Sequence, residues 1–512
     1  MYYIGIDLGT SAVKLLLMDE KGKVLKIVSK EYPLFFPHPG WSEQNPSDWW
    51  EKSVEGLREL VADCDKRQIR GISFGGQMHG LVLLDGEDQV IRPAILWNDG
   101  RTTEETNYLN LEIGKERLSA LTGNIAFAGF TAPKLLWVKR HEPEHFKRIC
   151  KIMLPKDYLV YRLTGVHATD YSDASGMLLL DVEHKCWSKE MLQICDLQES
   201  KLPTLYESYE KIGVLLPEIS KELGLPGDCI VAAGAGDNAA AAVGCGTVGP
   251  GRCNLSLGTS GTIFITHEQF GVDSFHALHS FAHADGNYHL MGCMLSAASC
   301  NNWWMKDILG TDDFAAEQKP LEARMLIGKA DGQGTTGAGE AKTNQKMLGE
   351  NQVYFLPYLM GERSPHNDPL ARGAFIGMRM DTSRADMLQA VFEGVAFGLR
   401  DSLEMARSLG IKLEKTTICG GGAKSLLWRE IVANVMNLEV QTVQVEEGPA
   451  YGAAILAAVA DGQYGTVEDA VRSIVRIKDS TKPEPALVEK YKDRYEVFRR
   501  LYPALKGIYA SL

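Results

Sequence analysis

The stretch Tyr3-Ile-Gly-Ile-Asp-Leu-Gly-Thr-Ser11 joins an apolar run to an acidic residue and then to a short polar turn that contains glycine. Two further apolar runs follow, Val13–Met18 and Val24–Val28, and Asp19-Glu-Lys-Gly22 separates them. Apolar runs of this length, bounded by Gly, Asp and Ser, are typical of strands joined by tight turns. The N-terminus therefore predicts a β-meander of three strands.

The opening pattern returns in the second half of the chain as Asn254-Leu-Ser-Leu-Gly-Thr-Ser-Gly-Thr-Ile-Phe-Ile265. Leu8-Gly-Thr-Ser11 and Leu257-Gly-Thr-Ser260 are identical, and each lies between two apolar runs. Four residues alone could recur by chance, but the matching strand–turn–strand context favours duplication. We therefore expect two related domains that place two Gly-Thr-Ser turns across one cleft.

A Gly/Pro break at Gly249-Pro-Gly251 separates a helix-like stretch from the second meander. We place the domain boundary there, which gives an N-terminal domain of residues 1–249 and a C-terminal domain of residues 250–512. The segment Gly328 to Asn351 is rich in Gly, Thr, Lys and Asn, and we interpret it as a mobile surface excursion.

Helical and strand patterns alternate after the first meander. A helix is predicted from Ser47, with Ser47 as its N-cap and Trp50, Val54 and Leu57 on one face. Ile69 to Phe74 is a short apolar strand that ends in two glycines. This alternation indicates an α/β architecture.

Composition limits the class of protein. The chain has 512 residues and a formal net charge of −12, which argues against a nucleic-acid binder because such proteins carry a basic face. It shows no secretory signal and no apolar stretch of about 18 residues that could span a bilayer. Ten cysteines without a Cys-x-x-Cys pair favour reduced thiols in a cytoplasmic protein.

The first turn has the residue types of a phosphate site. Gly9 lets the backbone approach a ligand, and the N–H groups and hydroxyls of Thr10 and Ser11 can surround phosphate oxygens. Asp7 could hold Mg²⁺ through water, and Lys14 would add positive charge. The alternative is a plain hairpin turn with a capping Asp.

Two further glycine-containing turns resemble ligand loops. Leu257-Gly-Thr-Ser-Gly-Thr262 repeats the first turn, and a second copy favours phosphate binding over a plain turn. Ile418-Cys-Gly-Gly-Gly-Ala-Lys-Ser425 connects a short strand to a predicted helix from Ser425 to Asn437. This loop suits adenosine lying flat on backbone, although three glycines alone are weak evidence.

Ala235-Gly-Asp-Asn-Ala-Ala240 places Asp237 between a glycine-rich strand end and an alanine-rich helix. A carboxylate there can accept the proton of a substrate hydroxyl while a phosphoryl group is transferred. The alternative is an N-cap Asp, a role compatible with the first.

Polar and aromatic residues follow two other predicted strands. Phe74-Gly-Gly-Gln-Met-His-Gly80 presents Gln77, Met78 and His79 in a loop at a strand end, a common ligand position in α/β folds. Trp97-Asn-Asp99 forms a second such cluster. Mixed apolar and hydrogen-bonding side chains suit a sugar, although a lone His is more often structural.

Taken in order and spacing, these motifs resemble those of the FGGY carbohydrate kinases. The resemblance runs from Tyr2 to about Tyr502 and rests on Asp7-Leu-Gly-Thr-Ser11, Gly236-Asp-Asn238, Leu257-Gly-Thr-Ser-Gly261 and Gly420-Gly-Gly-Ala423. Within the family the chain is most similar to the members that phosphorylate the ketopentose xylulose. That likeness rests on Gln77-Met-His-Gly80, Ile95-Leu-Trp-Asn-Asp-Gly-Arg101, Phe130-Thr-Ala-Pro-Lys-Leu-Leu-Trp137, Leu154-Pro-Lys-Asp-Tyr158 and Pro357-Tyr-Leu-Met-Gly-Glu-Arg-Ser-Pro-His366. The segment Gly328 to Asn351 is longer than the family pattern.

The resemblance implies two actin/hexokinase-like (ribonuclease H-like) domains with a catalytic cleft between them. It implies ATP and Mg²⁺ as cofactors, a homodimer, Asp237 as general base and Asp7 as the residue that positions Mg²⁺. The residues it implies for the phosphates are Thr10, Ser11, Gly258 and Thr259, to which the residue types of the first turn add Lys14. Those implied for the adenosine are Gly421, Gly422, Ala423, Ser425 and Asn434. Those implied for the ketose are Met78, His79, Trp97, Asp99 and Asn238, to which the position of Gln77 in the strand-end loop adds Gln77.

Three alternatives stay open at this point. A sibling kinase would act on ribulose, glycerol, gluconate or a deoxy sugar, although Gln77-Met-His79 favours xylulose. A nucleotide-dependent binder without catalysis would belong to another branch of the superfamily, and Asp237 favours an enzyme. A Rossmann dehydrogenase is disfavoured because no Gly-x-Gly-x-x-Gly follows the first strand with an acidic residue about 20 positions later.

Overall fold

The protein, seen here in a computed structural model, is described over residues 1–332 and 347–512. The strands in these ranges are, in chain order, β1 (Tyr2–Leu8), β2 (Ala12–Asp19), β3 (Val24–Glu31), β4 (Glu43–Gln44), β5 (Ile69–Gly76), β6 (Val82–Leu84), β7 (Ala94–Ile95), β8 (Lys151–Met153), β9 (Ala168–Asp170), β10 (Leu180–Asp181), β11 (Cys186–Trp187), β12 (Thr204–Tyr206), β13 (Lys211–Val214), β14 (Ile230–Ala232), β15 (Ala235–Gly236), β16 (Cys253–Leu257), β17 (Gly261–His267), β18 (His279–Ala282), β19 (Tyr288–Met294), β20 (Tyr354–Leu356), β21 (Ala374–Ile376), β22 (Lys415–Cys419), β23 (Glu439–Val443) and β24 (Ile477–Thr481).

The helices of the same ranges are α1 (Pro46–Leu60), α2 (Thr103–Asn107), α3 (Lys115–Thr122), α4 (Thr131–His141), α5 (Pro143–Arg148), α6 (Pro155–Thr164), α7 (Tyr171–Ala174), α8 (Lys189–Cys195), α9 (Pro217–Leu223), α10 (Asp237–Gly244), α11 (Ala298–Asn302), α12 (Phe314–Gly332), α13 (Arg384–Ser408), α14 (Leu426–Met436), α15 (Gly448–Ala460), α16 (Val467–Ile474), α17 (Pro485–Phe498) and α18 (Leu501–Tyr509).

The first large sheet has seven strands in the order β13-β14-β5-β1-β2-β3, with β15 paired to β5 as well. The antiparallel pairs β1–β2 and β2–β3 form the predicted meander, which is confirmed. β5 and β14 continue the sheet in parallel, because helical crossovers return the chain to the same edge. The side chains of β1 and β2 that face the helices are fully buried.

The second large sheet repeats this plan in the order β18-β19-β17-β16-β22-β23-β24. β16 pairs antiparallel with β17 and parallel with β22, as β1 pairs with β2 and β5. The duplicated α/β architecture that the Leu-Gly-Thr-Ser echo predicted is therefore confirmed. The boundary at residue 249 stays a prediction.

Helix α1 begins one residue earlier than the sequence pattern predicted. Pro46 occupies its first turn and Asn45 is the N-cap, so the prediction of Ser47 as N-cap is wrong. Proline fits the first helical position because its missing N–H would have no partner there. Trp49, rather than Trp50, is the fully buried tryptophan of this face, next to Val54 and Leu57.

Helices α10 and α15 connect the two halves of the chain. α15 comes from the second half but packs on β1, where a side chain at Gly5 would collide with the backbone of Ala450. Gly452 lies equally close to Ala240 on α10, and Gly244 lies close to Gly448. Glycine and alanine thus let the two helix backbones touch, and one helix pair belongs to both halves.

The predicted surface excursion Gly328–Asn351 lies largely outside the described residues; its first residues, to Gly332, are the end of α12. Among the described helices, none is long and apolar enough to cross a membrane.

Candidate active site

Two carboxylates flank the end of the central strand of the first sheet. Asp7 is paired across from Gly75 of β5, and Gly236, one residue before Asp237, is paired across from Gly76. β1, β5 and β15 run parallel and end at the same edge, which is where ligands bind in α/β sheets. The fold therefore brings Asp7 and Asp237 to one place from 230 positions apart in the sequence.

Burial is the largest cause of the raised pKa of both carboxyl groups. It raises the pKa of Asp237 to about 6, and the backbone N–H of Asn238 opposes this rise. Burial, reinforced by the charge of Asp237, raises the pKa of Asp7 to about 7, while Lys14 opposes it. As pH rises, Asp237 thus ionises first, as a proton acceptor at neutral pH must.

Asp237 is the first residue of α10, and Gly236 is the N-cap. The alternative of Asp237 as the N-cap is therefore wrong. Its Oδ1 accepts hydrogen bonds from the backbone N–H of Asn238 at 2.7 Å and from the Asn238 amide at 3.1 Å. Because both donors contact Oδ1, Oδ2 is the oxygen that the described residues leave for a hydroxyl.

The first glycine turn is held from several sides. Gly9 N–H donates to Ala12 O at 3.0 Å, and the Tyr32 hydroxyl donates to Gly9 O. The Gln44 amide donates to Thr10 O at 2.7 Å, and Trp97 Nε1 donates to Thr10 Oγ1 at 3.0 Å. Four hydrogen bonds thus hold the turn in place.

The exposed residues of this turn face outward beside Asp7. Ser11 is exposed and Thr10 is partly exposed. Lys14 lies opposite Asp7 in the β1–β2 register, and its Nζ lies 3.1 Å from Glu447 Oε2. Hydroxyls, backbone N–H groups and one ammonium thus surround the position where phosphate oxygens are expected.

The second and third glycine turns form one continuous surface. β16 and β22 are parallel neighbours, and Ser256 is paired with Cys419 just before the two turns begin. Gly420 has φ 89°, and a Cβ there would lie 2.7 Å from the carbonyl carbon of Leu257. Only glycine allows this approach, which places the Gly421–Lys424 turn against the turn of Gly258 and Thr259.

The structure separates the remaining predicted nucleotide residues. Ser425 is the N-cap of α14, accepts from Trp428 N–H and donates to Gln318. Asn434 is fully buried, and its side chain contacts only backbone groups of Glu430 and Glu484 among the contacts described. Asn434 therefore joins α14 to the chain before α17, and its predicted contact with adenosine stays a prediction.

Met78 and His79 lie beside Asp237. A Cβ on Gly236 would be 2.9 Å from Met78 Cγ, and the Asn238 amide lies 3.8 Å from the Met78 sulfur. His79 Nδ1 donates to Gly176 O at 2.8 Å, and its ring stacks on Phe130 with centroids 4.6 Å apart. Met78 is therefore in contact with Asn238, and His79 is the next residue along the chain.

Burial lowers the pKa of His79 to about 3, and the positive charges of Lys134 and Arg363 add to this effect. The imidazole is therefore neutral at physiological pH. Since Nδ1 carries the proton that Gly176 accepts, Nε2 is an acceptor that suits a sugar hydroxyl.

Gln77 and Asp99 lie in the interior in this structure. Gln77 is 2% exposed, and its amide contacts Gly9 O and Gln44. The Asp99 carboxylate accepts from Ser42 N–H at 2.6 Å and from three donors of Arg101. Both brace neighbouring loops, and their predicted contacts with the ketose stay predictions. Trp97, by contrast, is 45% exposed.

Sequence reasoning missed several residues that shape this site. Lys134 is fully buried, and its Nζ donates to His79 O at 2.8 Å and to Gly129 O at 2.7 Å. Burial holds its pKa well below the usual value. A lysine on the apolar face of a helix was the available signal. Arg363 comes from the second half, and only the fold brings it near His79.

No group of three or more His, Cys, Asp or Glu side chains gathers as a metal cluster in the described part of the chain. Asp7 fits Mg²⁺ nonetheless, because Mg²⁺ is commonly held through one or two carboxylates together with water and substrate phosphates.

Comparison with known proteins places this site in a family. Residues 2–244 match the N-terminal domain of the FGGY family of carbohydrate kinases, and residues 253–460 match its C-terminal domain. The chain is 41% identical to the xylulose kinase of Escherichia coli (strain K12) over 510 residues, covering 99% of this chain and 100% of that protein.

Solved structures agree on the fold. The xylulose kinase of Rhodospirillum rubrum is similar with a TM-score of 0.89 and 28% identity, covering 100% of both chains. The gluconate kinase of Lactobacillus acidophilus is similar with a TM-score of 0.91 and 26% identity, covering 100% of this chain and 99% of that one. Backbone similarity alone therefore does not separate sugar substrates.

Proposed function

Because the chain belongs to the FGGY family of carbohydrate kinases, we propose that it transfers the γ-phosphoryl group of ATP to a terminal hydroxyl of xylulose, releasing xylulose 5-phosphate and ADP. The observation that carries this proposal is the placement of Asp7 and Asp237 on either side of β5, next to the first glycine turn. Phosphoryl transfer depends chiefly on positioning and charge stabilisation, and this edge of the sheet supplies groups for both.

Asp237 serves as the general base. Its Oδ2 accepts the proton of the attacking hydroxyl, while Asn238 holds Oδ1. A pKa of about 6 leaves it ionised at neutral pH but basic enough to take a proton in the transition state. The hydroxyl oxygen attacks the γ-phosphorus in line with the departing oxygen of ADP as its proton passes to Asp237.

The nucleotide lies between the two halves of the chain. Thr10, Ser11 and Lys14 hold phosphate oxygens from one side, and Gly258 and Thr259 hold them from the other. The adenosine lies on the backbone of Gly421, Gly422 and Ala423, of which Gly421 is the exposed residue, with Ser425 at the edge. Gly421 supports this placement, because a side chain there would meet nothing within 4 Å.

Asp7 would hold Mg²⁺ through water, and the ion would neutralise charge on the β- and γ-phosphates. The contribution of the chain is a buried carboxylate whose ionisation a cation favours, because burial and Asp237 otherwise disfavour it.

The ketose lies against Met78, His79, Asn238 and Trp97. His79 Nε2 and the Asn238 amide offer an acceptor and donors for hydroxyls, and Met78 and Trp97 offer apolar faces. Asp99 and Gln77 hold the neighbouring loops in position through their hydrogen bonds to Ser42 and Gly9.

A panel of sugars tests the substrate. ADP production is measured with xylulose, ribulose, glycerol and gluconate at matched concentrations. We expect xylulose to give the highest kcat/KM. A preference for gluconate would contradict the assignment to xylulose and indicate a sibling kinase instead. ADP release that no sugar stimulates would instead indicate a nucleotide-dependent binder.

We place the enzyme in the cytoplasm, since all ten cysteines are free thiols. From the family resemblance we also propose a homodimer, and light scattering of the purified chain measures its mass.

A further inference from the structure

A buried ionic cluster lies directly beneath the catalytic edge of the first sheet. Lys156 is fully buried at the start of α6, and its Nζ lies 2.7 Å from Asp157 Oδ1, 2.9 Å from Asp170 Oδ1 and 3.7 Å from Asp173 Oδ2. The carboxylates are at most 1% exposed. A Cβ on Gly76 would lie 2.7 Å from Lys156 Cβ, so this side chain passes along the end of β5.

One ammonium faces three carboxyls in this cluster. Burial raises the pKa of Asp173 well above its usual value, with Asp157, Asp170 and Asp237 adding to the effect. Neither Asp173 oxygen has a hydrogen-bond donor in the described part of the chain. Lys156 Nζ lies closer to Asp157 and Asp170 than to Asp173, so these two carboxylates are the ones that it orients. Burying such a group is costly for stability, so its presence calls for a role beyond packing.

Asp170 extends the cluster towards the active site. Its Oδ2 accepts from Ser172 N–H at 2.8 Å, from Ser172 Oγ at 2.5 Å and from Ser208 Oγ at 2.7 Å. The Ser172 hydroxyl in turn accepts from Gly236 N–H at 3.1 Å. Since a hydroxyl has one hydrogen and Asp170 takes it, the lone pairs of Ser172 Oγ are oriented towards Gly236.

Gly236 is the residue before Asp237 and the N-cap of α10. Gly236 has no side chain that could hydrogen-bond its own peptide group. A larger residue does not fit here, because Met78 lies too close. Ser172 supplies from α7 the contact that Gly236 cannot make for itself. The position of this peptide sets where the Asp237 carboxylate points.

We propose that Ser172, oriented by Asp170 and Lys156, is a positioning residue that holds the Gly236–Asp237 peptide so that the Asp237 carboxylate meets the sugar hydroxyl. This inference rests on the proposed role of Asp237 as general base. Ser172 touches no substrate; it acts through the backbone.

Ser208 provides a matched control. Ser172 and Ser208 are both buried and both donate a hydroxyl hydrogen to Asp170 Oδ2, but only Ser172 contacts Gly236. Ser172→Ala and Ser208→Ala therefore remove the same group from the same acceptor, and they differ in the contact that the inference requires.

The test compares kcat, KM and the pH profile of the full-length variants. We expect Ser172→Ala to lower kcat by about tenfold or more, because even a small displacement of a catalytic group lowers the rate strongly. KM for ATP and for the ketose should stay within about twofold. The acid limb of kcat/KM should also shift, because a displaced Asp237 is solvated differently. Ser208→Ala should leave kcat within about twofold and the acid limb in place.

Equal effects of the two variants on kcat would overturn the inference. Amide hydrogen exchange adds a second readout: the Gly236 N–H should exchange faster in Ser172→Ala and not in Ser208→Ala. If Ser172→Ala does not fold, Ser172→Cys replaces it, since a thiol is a weaker acceptor; the expected loss of kcat is then about threefold.

Asp237→Asn, measured alongside, separates this inference from the proposed function. Turnover by Asp237→Asn at a normal rate would defeat the proposed function. An inactive Asp237→Asn together with equal serine variants would defeat the positioning role alone.

Discussion

Lys14 and Glu447 form an ion pair, with Nζ 3.1 Å from Oε2, that joins the strand after the first glycine turn to the N-cap of α15. The side chains are 40% and 30% exposed, so the pair contributes less than about 1 kcal/mol to stability. Its interest is functional, because Lys14 is the cation beside the proposed phosphate site and Glu447 competes with phosphate for it.

Glu447→Gln removes this competitor. We expect KM for ATP to fall by about twofold to fivefold at low salt and the difference to shrink as salt is added, because the charges are exposed. The melting temperature should hardly change. Lys14→Met is the matched counterpart and should raise KM for ATP. If KM for ATP responds to neither variant, Lys14 does not contact the nucleotide.

Asp237→Asn should abolish phosphoryl transfer and leave ATP binding largely intact. The amide keeps the size of the side chain but cannot accept the proton, and general-base catalysis is worth about 10²–10⁴-fold. Single-turnover assays measure transfer, and calorimetric titration with ATP measures binding. Loss of both together would indicate misfolding, and near-normal turnover would refute the assignment.

The acid limb of the pH profile should report Asp237. Its raised pKa means that the base is protonated and inactive below about 6 and ionised above it. kcat/KM for the ketose should therefore rise about tenfold per pH unit up to this value and level off above it. A limb near the ordinary pKa of a carboxyl, 3.8, would contradict the burial of this group.

Asp7→Asn should stabilise the protein without ligands at alkaline pH. The pKa of Asp7 is raised to about 7, so between 3.8 and 7 the folded state keeps a proton that the unfolded state has lost. Folding stability then falls as pH rises through this window, by up to about 1.4 kcal/mol per unit. Asparagine does not ionise, so the variant does not undergo this loss of stability. Thermal unfolding should show a higher melting temperature for Asp7→Asn at about pH 8 and no difference near about pH 4. An equal gain at both values would point to packing instead.

Gly420→Ala should weaken nucleotide binding. Its Cβ would lie 2.7 Å from the Leu257 carbonyl carbon, so the third glycine turn must move off the second. We expect KM for ATP to rise by about tenfold or more while KM for the ketose stays nearly constant. Gly410→Ala is the control, because Gly410 has a similar φ of 83° but nothing within 4 Å of the added carbon. Equal effects would show backbone strain rather than loss of the contact between the turns.

The sequence allowed the meander, the duplication and the strand-end position of Asp237 to be predicted, because local patterns determine them. Leu8-Gly-Thr-Ser11 and its copy at Leu257 each lie at a strand end, and tight turns leave few other conformations. The N-cap of α1 was mispredicted because Asn45 and Ser47 are both good N-caps, and Pro46 decides between them.

What sequence reasoning missed in the site depends on contacts between distant segments. Gln77 and Asp99 carry groups that suit a sugar, but Gln44 and Arg101 engage them inside the protein. The motif Leu154-Pro-Lys-Asp-Tyr158 drew attention to Lys156 but did not show that it lies in a buried ionic cluster, because Asp170 lies on another element. Only the tertiary structure shows which polar side chains are already satisfied.

The close packing of α10 on α15 has a consequence for how the chain can be divided. Gly244 and Gly452 bring the two helix backbones together, and α15 covers β1. A fragment ending at residue 249 would expose the face of β1 that Ala450 and Ala454 cover, and the complementary fragment would carry an unshielded apolar helix. The internal repeat is therefore not a line along which the chain can be cut, because each half would lose apolar contacts that the other provides.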